Sequence, residues 1–310
     1  MTLIIAACLL DVVLGDPAYR LHPVRLIGDL STAIERQLFA RGWNQRSGGV
    51  LHLLLVLTVA LTVWLGIRAS LSLVHPHLVF IWDLYLAASL LCLRDLIVQG
   101  KRILSLLDDL PAARQQLKQL VGRDTAPLQQ DGIVRATMES LAENLTDGVL
   151  TPLWALCLFG LPGLIVVKVI STLDAMVGYQ NERYQRFGWA AARCDDWMHW
   201  LPARISVVMI AMVAAWQRLH PLLALRTAWR YHALLPSPNS GWSEAALAGA
   251  LRVRLLGPVW RDGQLINERF IGEPEWPAQL TAVELRQALW LILGCYPVAL
   301  MIGLVLANSL

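Results

Sequence analysis

Residues 149–170, "VLTPLWALCLFGLPGLIVVKVI", decide how this chain is read. The run is long and apolar enough to cross a bilayer, which takes roughly 20 apolar residues as a helix. Yet Pro152, Gly160, Pro162 and Gly163 interrupt it, and Lys168 stands near its end. Two readings follow. One is a Pro-kinked span. The other is a re-entrant hairpin that turns at "GLPG" and returns to the side it came from. Broken helices are tolerated at membrane depth only when protein surrounds them or they line a cavity.

Four further stretches, 50–74, 78–93, 201–218 and 287–308, are apolar at near-spanning length. The 310 residues are 56% hydrophobic and only 16% charged, against about 25% charged in soluble proteins. The runs are continuous and not alternating, which excludes a β-barrel. The expected class is an all-α integral membrane protein. It has about five membrane helices, one re-entrant on the second reading, with cytoplasmic amphipathic helices folded against them. No repeat or domain boundary is evident, so 1–310 reads as a single helical membrane domain. Its polar segments are 16–49, 94–148, 171–200 and 219–286.

Arginine orients it. Segments 16–49, 94–148 and 219–286 are Arg-rich, while the link at 67–77 carries only Arg68. The positive-inside rule puts the first three in the cytoplasm. Segment 171–200 is Arg-rich too, and it shares that side only if 149–170 is re-entrant. The N-terminal "MTLIIAACLLDVVLGDP" lacks a basic start and is interrupted by Asp11. It reads as a retained, partly buried helix and not as a signal peptide.

Composition excludes other classes. A net charge of +3 is too small for nucleic-acid binding. The five cysteines form no close pair, so neither a disulfide framework nor a zinc site is expected. Thirteen Trp suit interfacial belts.

The polar segments carry the candidate chemistry. In "GIVRATMESLAENLTDG" (132–148), Arg135, Glu139, Glu143 and Asp147 recur every four residues and share one helical face. A solvated face laced by an Arg135–Glu139 pair is one reading. The other is a carboxylate cluster near the membrane surface, suited with Asn144 to Mg²⁺ and phosphate.

Between two apolar stretches lies "STLDAMVGYQNERYQRFGWAAARCDDWMHWLPAR" (171–204). Asp174, Glu182, Asp195 and Asp196 are candidate bases or metal ligands there. Arg183, Arg193 and Arg204 are candidate clamps, because the guanidinium fork matches phosphate and carboxylate. A juxtamembrane ion-pair network is the plainer alternative. "VGRDTAPL" (121–128) places Arg123, Asp124 and Thr125 at a turn, where Asp124 or Thr125 also suits a cap. In "SPNSGWSEAALAGAL" (237–251), Asn239 or Ser240 caps a small-residue helix with Glu244 in its first turn. In "GDPAYRLHPVRLIG" (15–28), Asp16, His22 and Arg25 precede an amphipathic stretch, with interfacial anchoring as the plain reading. No G-x-x-x-x-G-K-[ST] is present, so a nucleotide would be held some other way.

Taken together and in order, these pieces resemble the CobD/CbiB family of cobalamin biosynthesis, the membrane-bound adenosylcobinamide-phosphate synthases. The matching pieces are "GDP" with "HPVRLIG", "VGRDT", "ESLAENLTDG", "TLDAMVGYQNERYQRFGWAAARCDDW", "LPAR" and "PNSGWSEAALAGAL". The chain departs from the family at three places. Ser171 stands where Asn commonly precedes Thr-Leu-Asp, and His199 also stands where Asn is common. Leu256-Gly257-Pro258 stands where Gly-Gly-Pro often follows the last motif.

The resemblance implies ATP-dependent amide-bond formation. Adenosylcobyric acid would be joined to (R)-1-amino-2-propanol or its O-phosphate. The implied catalytic set is Glu139, Glu143, Asp147, Asp174, Glu182, Asp195 and Asp196. Substrate binding falls to His22, Arg25, Arg123, Asp124, Thr125 and Asn144, with Arg183, Arg193, Arg204, Asn239 and Glu244. Mg²⁺ would be held by Glu143, Asp147 and Asp174, the two acidic groups converging on one site. The implied setting is the inner membrane of a prokaryote, with lipid and other membrane enzymes of the pathway as partners. A transporter would put ionisable residues within its spans, but only Asp83 and Lys168 fall in apolar runs here. A non-catalytic accessory protein would tolerate loss of the acidic positions, and all seven are present.

Overall fold

Gly160 is where the deciding stretch turns. The computed structural model describes residues 1–15 and 19–309; Asp16 of the first motif lies outside them. In chain order the helices are α1 (Thr2–Leu14), α2 (Pro23–Ala40), α3 (Arg46–Ser72), α4 (Pro76–Ser89), α5 (Leu93–Ser105) and α6 (Leu110–Leu117). Then come α7 (Gln130–Asn144), a π-helical turn (Leu145–Leu150), α8 (Thr151–Val177), α9 (Trp189–Trp216), α10 (Pro221–Tyr231), α11 (Ser240–Leu251) and α12 (Ala282–Ser309). The short strands β1 (Leu255–Leu256), β2 (Val259–Arg261), β3 (Gln264–Asn267) and β4 (Phe270–Ile271) pair as β1–β4 and β2–β3. Among the described residues, five helical stretches are long and apolar enough to cross a membrane: 46–72, 76–105, 130–177, 189–216 and 282–309. The chain is a helical, multi-pass membrane protein.

Two compact units share these elements. The first holds Met1–Cys92, Thr151–His199 and the end of the chain from Leu300. Within it α8 is broken at Gly160, whose φ of 65° and ψ of −160° only glycine adopts readily. Pro162 follows at the start of the second half, where its missing N–H costs nothing. A Cβ on Gly163 would stand 2.9 Å from the carbonyl oxygen of Ala155, whereas a straight helix separates such residues by about 12 Å. The Thr151 hydroxyl lies 2.8 Å from His199 Nδ1. Near the other end of α8, Asp174 has Asp195, Asp196 and His199 as its electrostatic neighbours. Unbroken, α8 would hold Thr151 and Asp174 about 35 Å apart. The segment therefore folds back at "GLPG", as the hairpin reading expects.

The polar segment 171–200 is mostly helical. Residues 171–177 complete α8 and 189–200 begin α9, so only 178–188 is irregular. "WAAARCDDWM" contains no helix breaker, and Ala, Arg and Met favour the helix whatever their charge. That irregular piece packs tightly. A Cβ on Gly188 would fall 1.8 Å from the Val177 carbonyl oxygen, and one on Gly178 would fall 2.0 Å from Asp174 Oδ1.

The second unit holds Leu93–Leu150 and Trp200–Ala299. Its centre is α7, buried from Gly132 to Ala142. The buried positions of α5, Leu93, Leu96, Ile97, Gly100 and Ile103, follow the helical repeat of one inward stripe. α11 is rich in Ala, Gly and Ser, and a Cβ on Gly249 would meet the Leu223 carbonyl oxygen of α10 at 2.3 Å. The Arg135–Glu139 pair of the solvated-face reading does not form. Between Gly132 and Ala142 α7 is buried all round, so each charge there needs a partner from another segment or from the first turn. Arg135 donates to Asp131 (2.9 Å) and to the Ala278 carbonyl (2.6 Å), and Glu139 turns to Arg123.

Candidate active site

Three of the motifs, and the position that follows the last, line one cavity of about 420 Å³ in the second unit. Arg123 comes from "VGRDT", Glu139, Ser140 and Glu143 from α7, and Ser240 and Glu244 from α11. Leu256, Arg261 and Asn267 come from the strands. Glu139 is the hinge of this set. It pairs with the Arg123 guanidinium and accepts the Leu256 amide at 2.7 Å. Leu256 sits at a φ of 65°, in the left-handed region that glycine prefers. Its departure from the family pattern thus falls on a backbone position with a physical demand.

Other candidates serve as supports. The Asp124 amide donates to the Trp260 carbonyl, and its Oδ2 accepts the Gly263 amide, both at 2.8 Å. Asp124 therefore holds the β2–β3 hairpin that carries Arg261. Thr125 is buried beside it. Asn144 donates back to the Ser140 carbonyl at 2.9 Å. Arg204 donates to the Trp200 carbonyl (2.7 Å) and to Asn239 Oδ1 (3.2 Å), and lies over the Trp200 and Trp242 rings. Gly241, beside Asn239, allows α11 to start against the His232 carbonyl, which a Cβ would meet at 2.0 Å.

Glu244 stands out electrostatically. It is 4% exposed, and among the described residues none donates a hydrogen bond to it. Burial, followed by the negative charges of Glu139 and Glu143, pushes its carboxyl well above the usual range. Arg123 offsets this in part, and Asp147 adds to it. Four carboxylates thus act on one region, where Arg123 offsets part of their charge and Arg135 also acts on Glu139.

In the first unit, Asp174, Asp195, Asp196 and His199 form a second polar group. Asp195 Oδ1 lies 3.2 Å from His199 Nε2, and Arg193 stands 3.8 Å from Asp196. A polar cavity of about 370 Å³ adjoins it, lined by Arg46, Tyr179, Gln180, Gln185, Arg193 and Asp196 among others. Arg183 is committed elsewhere, to Glu35 at 2.7 Å and over the Phe39 ring. Glu182 and Arg25 are exposed. His22 caps α2, its Nδ1 accepting the Val24 amide at 3.2 Å. None of these last four lines either cavity.

Among the described residues no group of three or more His, Cys, Asp or Glu side chains is placed to cage a metal ion. Mg²⁺ needs fewer, since it keeps waters and takes one or two carboxylates with substrate phosphate. The uncompensated carboxylates around Glu244 fit a cation. Glu143, exposed at the cavity, and Asp147 would hold such an ion; Asp174 belongs to the first unit.

Sequence reasoning passed over Arg261, Asn267, Ser140 and Arg46. The first two were legible in outline. Asp262-Gly263 between "VWR" and "QLIN" is a hairpin signal, and its arms carry both residues.

These features define a multi-pass helical membrane protein with cavities lined by arginine and carboxylate. The chain belongs to the CobD/CbiB family: the family model described as CobD/Cbib protein matches residues 4–292. It is 42% identical over 276 residues to the cobalamin biosynthesis protein CobD of Pelobacter propionicus, covering 88% of this chain and 85% of that one. The CobD of Geobacter metallireducens is 41% identical over 291 residues, covering 90% and 88%. The cobalamin biosynthesis protein CbiB of Salmonella arizonae is 36% identical over 275 residues, covering 87% and 86%. No solved structure matches the chain.

Proposed function

We propose that this chain serves cobalamin biosynthesis in a bacterial inner membrane. It joins a carboxylate of adenosylcobyric acid to (R)-1-amino-2-propanol, or its O-phosphate, in an ATP-dependent amide synthesis. One observation carries the reading. Arg123, Glu139, Glu143, Glu244 and Arg261 surround a single cavity, and amide synthesis needs both guanidinium and carboxylate groups.

The chemistry sets those needs. A carboxylate is a poor acyl donor, so ATP transfers a phosphoryl group to it, giving an acyl phosphate and ADP. The amine then attacks the acyl carbon and phosphate leaves. Guanidinium groups stabilise charge on the transferring oxygens. A positioned carboxylate takes the proton that the ammonium must lose. Mg²⁺, when bound, would neutralise phosphate charge. Arg123 is oriented by Glu139, and Arg261 by the hairpin that Asp124 secures.

The test is made on the whole chain purified in detergent. ATP hydrolysis should require both adenosylcobyric acid and the amine, and mass spectrometry should find the amide product. Hydrolysis that ignores both substrates, with no product, would count against the proposal.

A further inference from the structure

We propose that Glu244 and Arg261 are the two ends of the subsite for the amine substrate. Glu244 receives the ammonium, and Arg261 receives a phosphate on the same molecule. This rests on the amide-synthesis reading above and adds which substrate the cavity takes and in which direction it lies.

Glu244 is the first support. A buried carboxylate without a hydrogen-bond donor is costly unless a cation joins it. Arg123, engaged by Glu139, offsets it only in part. Glu139 is held by Arg123 and the Leu256 amide, and Glu143 and Asp147 bring more negative charge. An ammonium offers three donors from a compact head and needs no ordered shell of ligands. Hydrated Mg²⁺ demands octahedral room, which suits the exposed Glu143 better than the enclosed Glu244.

Arg261 is the second support. It is exposed on β2 at the cavity, and among the described residues no carboxylate pairs with it. Its planar fork matches a phosphate. Size is the third. At about 420 Å³ the cavity lies near the lower end of ligand pockets, which run to about 1,000 Å³. A three-carbon amino alcohol phosphate fits within it, whereas an adenosylated corrinoid does not and must meet the amine at the mouth.

The arrangement also deprotonates the amine. One proton passes from the ammonium nitrogen to a Glu244 oxygen, leaving a neutral amine with its lone pair and a neutral acid.

Calorimetry on the full chain in detergent, without ATP or corrinoid, tests the assignment with three probes. These are 1-amino-2-propanol O-phosphate, propan-2-yl phosphate lacking the amine, and 1-amino-2-propanol lacking the phosphate. The first should bind roughly 30–150-fold tighter than either of the others, the value of one charged hydrogen bond. Glu244→Gln should abolish the preference for the amine, and Arg261→Ala the preference for the phosphate. A readout that needs no variant is modification of Glu244 by dicyclohexylcarbodiimide, located by mass spectrometry. The amine phosphate should protect it and propan-2-yl phosphate should not. Discrimination unchanged in both variants, or equal protection by both phosphates, overturns the assignment even if amide product forms. If no product forms with any amine, the amide-synthesis reading fails instead.

Discussion

The carboxylate of Glu139 accepts the backbone amide of Leu256 at 2.7 Å across 117 residues of sequence, while its other oxygen pairs with Arg123. One buried side chain thus ties α7 to β1 and to the loop before α7. Removing a single partner of such a pair leaves the other uncompensated, which costs about 3–5 kcal/mol. Glu139→Ala and Arg123→Ala should each lower the thermal midpoint in detergent substantially. The double variant should lose less than the two single losses combined. Strict additivity would mean the pair is not coupled.

Leu256 itself supplies the second expectation. Its left-handed backbone costs about 1–2 kcal/mol, while burying its side chain returns about 1.5–3 kcal/mol. Leu256→Gly should therefore be tolerated to within about 2 kcal/mol, because strain relief offsets lost burial. Leu255→Gly next to it, fully buried and without that strain, should cost about 3 kcal/mol or more. Equal losses at the two positions in denaturant melts would contradict the strain argument.

The raised carboxyl of Glu244 makes stability depend on pH. A group whose folded-state pKa lies above its unfolded value binds its proton more tightly in the folded chain. Its contribution is fully present below the ordinary carboxylate range and is lost as pH rises through the raised value. The slope is at most about 1.4 kcal/mol per pH unit. Without ligand, Glu244→Gln should match the wild type at acid pH and exceed it increasingly toward neutral and alkaline pH. A gap that narrows as pH rises would show the sign to be wrong.

Arg193 and Arg204 separate in the same kind of test. Arg193 is 61% exposed and only loosely paired with Asp196 at 3.8 Å, beside a polar cavity. As a phosphate contact, its change to Ala or Lys should lower kcat/KM by roughly 30–150-fold with little change in melting, since exposed pairs contribute about 0–1 kcal/mol. Arg204 is stacked on two Trp rings and bonded to Asn239. Arg204→Ala should therefore lower the melting temperature as well. Full activity of the Arg193 variants at subsaturating substrate would remove it from the site.

Topology gives the last expectation. The Arg-rich segments on both sides of α8 should face the cytoplasm. Single cysteines at positions 115 and 185, in a background without the native cysteines, should both resist a membrane-impermeant label applied to intact cells. Labelling at 185 alone would defeat the re-entrant hairpin.

The sequence by itself determined the helical membrane class and the order of the apolar helices, and it marked "GLPG" as the place where the stretch 149–170 would kink or turn. These rest on local causes: run length, continuous hydropathy, and a glycine–proline pair that few backbone conformations satisfy. It also marked the motifs that supply Arg123, Glu139, Glu143 and Glu244. What only the tertiary structure decided is which charge meets which. Glu139 turns from Arg135, four residues away on its own helix, to Arg123 and to a backbone amide on β1, because α7 is buried and each charge must find compensation there. Arg261 joins those carboxylates through a hairpin held by Asp124, a contact spanning 139 residues. Glu182 and Arg183 look like site residues by spacing, yet one is exposed and the other pairs with Glu35 on α2. Spacing along a chain places side chains on a face of one element. The folded chain alone determines what that face is packed against, and so which charges meet.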